Sequence, residues 1–323
     1  MALIGALAGL PVLAGCAGKP HFVVESPVPG AAALQPGPGV TRHVVLVSID
    51  GLRPDAIDRY GAATLQRLAR EGSWTYAATT IMPSKTLPSH TSMLTGEFPA
   101  EHGMQWNTNR TGARGLVEVP TVFGVARARG YQTAAFFSKA KFQHLQQPGT
   151  LDYSQAPGGR YGGWSARKTM EDVEEYLTDA RPHLLFVHLR EPDYAGHLYG
   201  WMTPAYASAV RVADQAVAKI IALADRAYGR GGYTLIVTAD HGGHGYNHGS
   251  DDPRDVTIPW IAWGAGVQPG PLGGRVETVD TAATVLWLLG LREPSDWAGT
   301  PVTTAFDAAT AAAAASATGG GGQ

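Results

Sequence analysis

Short apolar runs alternate along the chain with segments in which apolar residues recur every three or four positions. Runs of the first kind are rich in β-branched residues and predict buried strands. They lie at 43–49, 133–137, 184–189, 234–238 and 258–263. Segments of the second kind predict helices, at 63–71, 121–129, 205–228 and 281–289. Because the strands are apolar throughout and separated by helices, we expect an α/β fold with a mostly parallel sheet covered on both faces.

Carboxylates and imidazoles directly follow three of these predicted strands. In chain order they are Asp50, then Asp193 and His197, then Asp240 and His241 with His244 and His248 close behind. Functional residues in such sheets gather beyond the carboxyl ends of the strands, so we expect these side chains to meet at one edge. Pro192 and Gly196 predict that Asp193 and His197 stand in a loop rather than on a helix.

Aspartate and histidine without cysteine are ligands that suit zinc or a similar divalent ion. With one or both of His244 and His248 included, these six or seven groups exceed the needs of one tetrahedral ion and fit a two-metal site for displacement at phosphorus. Each piece has a structural alternative when taken alone. The Asp50-Gly51 pair is common in turns, and His244 and His248 in their glycine-rich loop are compatible with solvated surface positions. Convergence of three clusters on one sheet edge favours the functional interpretation.

Composition narrows the range of functions. Lysine and arginine total 25 against 27 acidic residues, a formal net charge of −2, which offers no electrostatic basis for a nucleic-acid partner. The single cysteine, Cys16, excludes a disulfide framework within the chain and a thiolate zinc site. No feature of the sequence indicates a protein partner.

The ends of the chain differ in composition from the middle. Residues 1–16 read as a signal peptide whose run Leu13-Ala14-Gly15-Cys16 resembles a bacterial lipobox, although cleavage near Ala14 or Ala17 is the alternative. Residues 17–41 are rich in Pro, Gly and Ala and predict a flexible linker, and 306–323 form a low-complexity tail. The folded domain is therefore predicted at 42–305. We expect an exported bacterial protein, attached to the membrane only by a lipid on Cys16 and facing the periplasm or cell exterior.

Segment 82–96 is rich in hydroxyls and contains one imidazole, His90. It carries six hydroxyl side chains, at Ser84, Thr86, Ser89, Thr91, Ser92 and Thr95. Hydroxyls are poor nucleophiles at neutral pH unless a base or a metal activates them. Pro88 and Gly96 predict a helix that begins near Thr86 and ends at Gly96. One hydroxyl near the helix start would then face the free N–H groups that favour anionic oxygens.

These residues, taken in order, resemble a known family. The stretches are VSIDGLRPD (47–55), MPSKTLPSHTSMLTGEFPAEHGM (82–104), EPDYAGHLYG (191–200) and TADHGG (238–243). They are similar to the alkaline phosphatase superfamily and, within it, to the nucleotide pyrophosphatase/phosphodiesterase (type I phosphodiesterase) group. The resemblance implies an alkaline phosphatase-like three-layer α/β/α sandwich. It also implies two divalent metal ions, with zinc the preferred identity.

The resemblance assigns roles position by position. Asp50, Thr86, Asp240 and His241 would hold one ion, with Thr86 as the nucleophile that forms a phospho-threonine intermediate. Asp193, His197 and a third histidine would hold the other ion. We prefer His248 as that histidine, with His244 as the alternative.

The resemblance also implies residues that contact the substrate. Asn107 would donate a hydrogen bond to a non-bridging phosphoryl oxygen, an arrangement typical of the phosphodiesterase group. Lys85 is a candidate substrate contact, with a solvent-facing role as its alternative, and His90 is expected to be structural.

The implied activity is zinc-dependent hydrolysis of phosphodiester or nucleotide pyrophosphate bonds. The substrate would be a small-molecule phosphate ester, possibly a nucleotide. A phosphomonoesterase or phosphonate hydrolase on the same scaffold is the first alternative. A non-catalytic metal-binding surface lipoprotein is the second, and the presence of Thr86 beside a full ligand set argues against it.

Overall fold

A computed structural model describes residues 40–307. Cys16, the rest of the predicted leader, nearly all of the predicted linker at 17–41 and nearly all of the tail at 306–323 lie outside the described residues. The described residues form one eight-stranded sheet. Its strands are β1 (Val44–Ile49), β2 (Ser73–Thr79), β3 (Thr133–Phe136), β4 (Tyr153–Gln155), β5 (Leu184–Leu189), β6 (Thr234–Thr238), β7 (Thr257–Gly264) and β8 (Gly270–Pro271).

The sheet is mostly parallel, as the apolar strands predicted. Its strand order is β4-β3-β5-β1-β6-β7-β2-β8, and β7 runs antiparallel to both of its neighbours. Strands β5, β1 and β6 lie side by side in parallel at the centre. All residues of these three strands are buried, which explains why their sequences show no polar alternation.

Helices cover the sheet in two layers. They are α1 (Pro54–Arg59), α2 (Ala63–Glu71), α3 (Thr86–Thr95), α4 (Pro99–His102), α5 (Thr111–Arg114), α6 (Val122–Ala128), α7 (Ala166–Asp179), α8 (Glu191–Tyr199), α9 (Pro204–Tyr228), α10 (Pro253–Val256) and α11 (Asp280–Leu288). Short 3₁₀ helices lie at Ala140–Leu145 and Thr303–Ala305. Helices α2, α7 and α8 pack on α9, whereas α3, α6 and α11 pack on one another. The architecture is therefore the predicted α/β/α sandwich, and among residues 40–307 no helix has the length and apolar character to cross a bilayer.

One prediction about local structure is wrong. Asp193 and His197 lie on helix α8 and not in a loop. Pro192 occupies the first turn, where its missing N–H costs nothing. Gly196 is tolerated because the indole of Trp201 packs directly on it, and a Cβ there would come within 2.5 Å of the ring. The glycine thus serves close packing and does not break the helix.

Candidate active site

The carboxyl ends of β1, β5 and β6 bring the predicted acids together. Asp50 follows β1 and is completely buried. Its Oδ2 accepts hydrogen bonds from His188 Nε2 at 2.9 Å and from Lys139 Nζ at 2.5 Å. The next residue, Gly51, has φ of 71° and lies so close to Asp193 that a Cβ would approach its Cα to 2.9 Å. Glycine is needed here both for the left-handed backbone and for contact between the two acidic segments.

A first group of potential ligands comprises Asp50, Asp240 and His241. One ligand atom from each lies within 4.8 Å of the others, and all three side chains are buried. The His241 Nδ1–H donates to the carbonyl of Gly242 at 2.8 Å, which leaves the lone pair on Nε2. That Nε2 faces Asp240 Oδ2 at 3.2 Å, Asp50 Oδ1 at 3.5 Å and Thr86 Oγ1 at 3.3 Å.

A second group comprises Asp193, His197 and His248, again within 4.8 Å of one another. His197 follows Asp193 by one helical turn of α8, so both side chains point to the same side of the helix. His197 Nδ1 donates to the carbonyl of Tyr246 at 3.0 Å, and His248 Nδ1 donates to that of Ser84 at 2.8 Å. Their free Nε2 atoms face Asp193 Oδ1 at 3.3 and 3.5 Å.

Three carboxylate oxygens in the two groups of potential ligands have no hydrogen-bond donor, which bears on whether the groups suit metal ions. Asp50 Oδ1, Asp193 Oδ1 and Asp240 Oδ2 are buried without a hydrogen-bond donor. Burial of a carboxylate oxygen without a hydrogen-bond donor or a positive charge is energetically unfavourable, so a cation beside each of these oxygens would stabilise it. The same three oxygens face the imidazole Nε2 lone pairs, and a second bond from each ring to a carbonyl is the usual support for a metal-binding histidine. The donor set of carboxylates and imidazoles therefore fits two divalent ions such as zinc.

Thr86 begins helix α3 beside the first group. Lys85 is extended and serves as the N-cap, so Thr86 is the first helical residue. The helix ends at Gly96, whose φ of 67° gives the left-handed C-cap that the sequence predicted. The Thr86 side chain is 1% exposed and lies 3.3 Å from His241 Nε2. Of the six hydroxyls in segment 82–96, only that of Thr86 lies beside the ligand groups. Those of Ser89, Thr91, Ser92 and Thr95 bond within the core, and Ser84 Oγ donates to the carbonyl of Ser250.

Asn107 lies at the start of α3. Its Oδ1 accepts from the Leu87 backbone N–H and from Lys141 Nζ, both at 2.9 Å. Because both neighbours are donors, the amide oxygen is fixed in this direction, and the Nδ2 hydrogens remain available for another acceptor. Leu87 follows Thr86 directly, so Asn107 is tied to the backbone next to the predicted nucleophile.

The two histidine candidates for the second group occupy different environments. His244 Nδ1 pairs with Asp255 Oδ1 at 2.7 Å, away from the three orphaned oxygens. His248 stacks on His241 with ring centroids 3.6 Å apart. Lys85 is half-buried, and its aliphatic stem lies against Gly249, next to His248.

The model of the type I phosphodiesterase/nucleotide pyrophosphatase family matches residues 44–252. The chain belongs to this family. The match spans all four sequence motifs and every predicted ligand.

Several relatives of this family member are known. Human ectonucleotide pyrophosphatase/phosphodiesterase family member 7 is 24% identical over 283 residues, which cover 78% of this chain and 61% of the relative. GPI ethanolamine phosphate transferase 1 is 24% identical in both Homo sapiens and Gibberella zeae. Those alignments cover 72% and 76% of this chain. The chain spans only 27% and 28% of the length of these two transferases.

Solved structures share the fold. Murine ectonucleotide pyrophosphatase/phosphodiesterase 5, as an inactive variant in complex with AMP, superposes with a TM-score of 0.71 at 16% identity. The superposition covers 82% of this chain and 100% of the murine chain. A 2-O GAG sulfatase superposes with a TM-score of 0.66 at 16% identity, covering 82% of this chain and 74% of its own.

Lys139 and Lys141 are parts of this phosphodiesterase-family site that sequence reasoning missed. Lys139 Nζ lies 2.5 Å from both Asp50 Oδ2 and Asp193 Oδ2 and so joins the two ligand groups. Burial and the neighbouring acid raise the pKa of Asp50, but Lys139 and His188 outweigh them and hold it well below its usual range. The lysines follow β3, a strand that ends without a carboxylate or imidazole, so the rule that identified the acids did not include them.

Two buried histidines, His188 and His90, use both ring nitrogens in hydrogen bonds and help to hold Asp50 and Thr86 in place. His188 Nε2–H donates to Asp50 Oδ2, while its Nδ1 accepts from the Ser138 hydroxyl at 2.6 Å. Burial lowers the pKa of His188 to about 4, so the ring is neutral in this role. His90 Nδ1–H donates to the carbonyl of Thr86 at 2.8 Å, and its Nε2 accepts from Ser48 at 2.8 Å. His90 therefore has the structural position that the sequence predicted.

Proposed function

We propose that this protein is a metal-dependent hydrolase of phosphodiester or nucleotide pyrophosphate bonds that uses Thr86 as its nucleophile. One observation carries the proposal. The Thr86 hydroxyl is the only one in segment 82–96 that lies against the cluster of orphaned carboxylate oxygens and free imidazole nitrogens. A site that only bound metal would not require the buried Thr86 hydroxyl beside the ligand His241.

Two zinc ions are the proposed cofactors. Asp50, Thr86, Asp240 and His241 would hold one, and Asp193, His197 and His248 would hold the other. When bound, the ions would supply Lewis-acid chemistry, lowering the pKa of the Thr86 hydroxyl and stabilising negative charge on the leaving oxygen. No histidine is required as a general base, since the ring nitrogen that contacts Thr86 Oγ1 belongs to the ligand His241.

Thr86, the first residue of α3, would attack phosphorus in line with the leaving oxygen. Its Oγ1 would lose its proton to solvent and form a bond to phosphorus as the bond from phosphorus to the leaving oxygen breaks, and the leaving oxygen would take a proton from solvent. The helix dipole at the start of α3 favours the negative charge that gathers there. The N–H of Leu87 is bonded to Asn107 and that of Ser89 to the carbonyl of Lys85, so neither of these two groups is available to the phosphoryl oxygens. Water would then add to phosphorus, and Thr86 Oγ1 would leave and recover a proton.

Asn107 would orient the phosphoryl group. Its oxygen is occupied by Leu87 N–H and Lys141, so its Nδ2 hydrogens are directed to a different acceptor. A non-bridging phosphoryl oxygen held there would be fixed relative to Thr86, because Leu87 is the next residue. Fixed donors of this kind contribute without reorganisation during the reaction.

A nucleotide is the preferred class of substrate. The murine structural relative is in complex with AMP, which supports a nucleotide at the corresponding place in this fold. Two relatives are named ethanolamine phosphate transferases, so transfer of the group from Thr86 to another acceptor is the alternative to hydrolysis. Hydrolysis and transfer are thus distinguished by whether water or an alcohol accepts the group from Thr86.

Hydrolysis of bis-p-nitrophenyl phosphate by protein lacking residues 1–16 tests this function. We expect turnover that requires zinc and that falls by at least about 10³-fold in Thr86→Ala, because removal of the nucleophile removes the covalent route. Thr178→Ala, at an exposed position on α7 where the hydroxyl bonds to the Glu174 carbonyl of the same helix, is the matched control. Full activity of Thr86→Ala would refute the mechanism, and a strong preference for p-nitrophenyl phosphate would favour the monoesterase alternative.

A further inference from the structure

Exposed hydrophobic side chains are concentrated beside the second group of potential ligands. Among residues 40–307, seven large hydrophobic side chains are exposed to solvent. Four of them, which we call the α8 rim, lie on α8 or on the loop against its C-terminal end: Tyr194, Leu198, Tyr199 and Tyr246. Single exposed hydrophobic residues are normal on protein surfaces, whereas a cluster of them marks a place where another molecule binds.

His197 is the member of the two ligand groups that solvent reaches. Its side chain is 41% exposed, whereas those of Asp193 and His248 are 4% exposed. The three ligands of the first group are completely buried. The site therefore opens to solvent at His197.

The α8 rim borders this opening. Tyr194 lies one helical turn before both His197 and Leu198, so the three side chains are neighbours on the helix surface. The Tyr246 carbonyl accepts the hydrogen bond from His197 Nδ1. The ring of Tyr246 lies beside Gly200, where a Cβ would stand 3.7 Å from it. Aromatic and apolar surface thus adjoins the ligand at which the site opens.

The leaving group of the proposed reaction points to the same place. In an in-line displacement, the attacking and leaving oxygens lie on opposite sides of phosphorus, and a site with two ligand groups can serve one oxygen with each. Thr86 Oγ1 lies beside His241 of the first group, so the leaving oxygen belongs beside the second group. The substituent on that oxygen would then extend past His197 and over the α8 rim.

Tyr194 has the surroundings of a stacking surface. The guanidinium of Arg190 lies over its ring, 4.2 Å from the ring centre, and a cation on an aromatic face helps to fix the ring in place. Tyr194 is nevertheless 49% exposed, so part of its surface remains for another group. Three of the four rim side chains are tyrosines, and flat rings bind well against tyrosine. An aromatic ring is therefore the partner that this surface fits.

We propose that the α8 rim binds an aromatic ring of the leaving group, with Tyr194 as the side chain on which the ring stacks. This inference rests on the proposed function and names the chemical class of the group released. The ring would belong to an aryl alcohol or to the base of a second nucleoside. A small alkyl leaving group would leave the α8 rim uncovered.

Three esters of thymidine 5′-monophosphate test the proposal, because they share the group transferred and differ in the group released. The p-nitrophenyl ester releases an aryl alcohol, the thymidine ester releases a nucleoside, and the ethyl ester releases an alcohol without a ring. Release of thymidine 5′-monophosphate by protein lacking residues 1–16 gives kcat/KM for each. We expect the ratio of kcat/KM for an aromatic ester to that for the ethyl ester to fall about fivefold to tenfold in Tyr194→Ala, as for loss of one aromatic contact. The aromatic ester whose ratio falls identifies the source of the ring.

Two further variants separate stacking from other effects. Tyr194→Phe keeps the ring and should keep the wild-type ratio, whereas Tyr194→Leu keeps apolar volume without a ring and should lose the ratio as Tyr194→Ala does. Val212→Ala is the matched control, since it shortens an exposed apolar side chain on α9 and should leave the ratio unchanged. A general disturbance next to Asp193 would slow all three esters equally and would not change the ratio.

An unchanged ratio in Tyr194→Ala would overturn the proposal, and so would a wild-type ratio in Tyr194→Leu. Sedimentation with phosphatidylcholine and phosphatidylglycerol vesicles tests a lipid surface as the occupant. Vesicle binding that is lost in Tyr194→Ala while the ratio stays unchanged would assign the α8 rim to lipid and overturn the role of the leaving group. Failure of the proposed function is distinct, because it would appear as absence of turnover of every ester by the wild type, or as full activity in Thr86→Ala.

Discussion

Removal of Lys139 should destabilise the protein most when metal is absent. The Lys139→Met change deletes the one ammonium that touches both Asp50 and Asp193, while a methionine fills a similar volume. Both carboxylates are buried, at 0% and 3% exposure, so their charge cannot be passed to solvent. Breaking a buried ion pair by removing one partner costs about 3–5 kcal/mol. We expect a loss of that size in the free energy of unfolding of the metal-free protein.

Metal should reduce this loss. The opposite oxygen of each carboxylate, Oδ1, is the one left without a donor and available to an ion. Divalent cations at those atoms would compensate the charge that Lys139 no longer neutralises. The remaining loss should then approach about 1.5 kcal/mol, the lower end for one hydrogen bond to a charged group.

Urea unfolding followed by tryptophan fluorescence, with zinc and with EDTA, measures both values. Lys219→Met is the matched control, since its exposed pair with Glu174 should contribute less than about 1 kcal/mol in either condition. The reasoning is refuted if Lys139→Met loses the same stability with zinc as with EDTA. It is equally refuted if the metal-free variant is as stable as the wild type.

Two further predictions concern single histidines. His248→Ala should lose about half of the bound zinc, because it removes a ligand from one of two sites, whereas His244→Ala should retain the full amount. Elemental analysis of the purified proteins measures the zinc content. The opposite pattern would identify His244 as the ligand. His102 is buried, and burial lowers its pKa to about 4; its Nδ1 accepts from the Met104 N–H, so a proton there would break that bond. The neutral ring therefore contributes stability above the unfolded pKa of about 6.5 that is lost as pH falls toward 4. Between pH 7 and pH 5 the wild type should lose about 2 kcal/mol more than His102→Gln in urea unfolding, and parallel pH profiles would contradict this.

Much of the site could be predicted because its residues follow a rule about strands. Three apolar runs ended in carboxylates or imidazoles, and parallel strands place their carboxyl ends at one edge. The start of α3 at Thr86 was also predictable, since proline in a first turn and glycine at a C-cap act through local backbone preferences. Hydrophobic periodicity and punctuation by proline and glycine therefore determined the fold class, the main elements and the edge where the chemistry lies.

Other features depended on contacts between distant parts of the chain. Lys139 lies 54 residues before Asp193 in sequence, and nothing beside it indicates that it joins two acids. Gly196 signals a break when only its neighbours are considered, yet Trp201 packing keeps it inside α8. The resemblance favoured His248 over His244 without showing where either ring lies, and the folded loop directs His244 to Asp255 and His248 to Asp193.

Some features were predictable from the sequence and others were not, because the forces that determine them act over different distances along the chain. Backbone propensity and amphipathic periodicity act over a few residues, so the sequence alone determined strands, helices and the edge to which the acids belong. Burial, charge compensation and close packing act between segments that meet only in the native state. Tertiary structure alone therefore decided that Lys139 pairs with both acids and that Trp201 packs on Gly196 within α8.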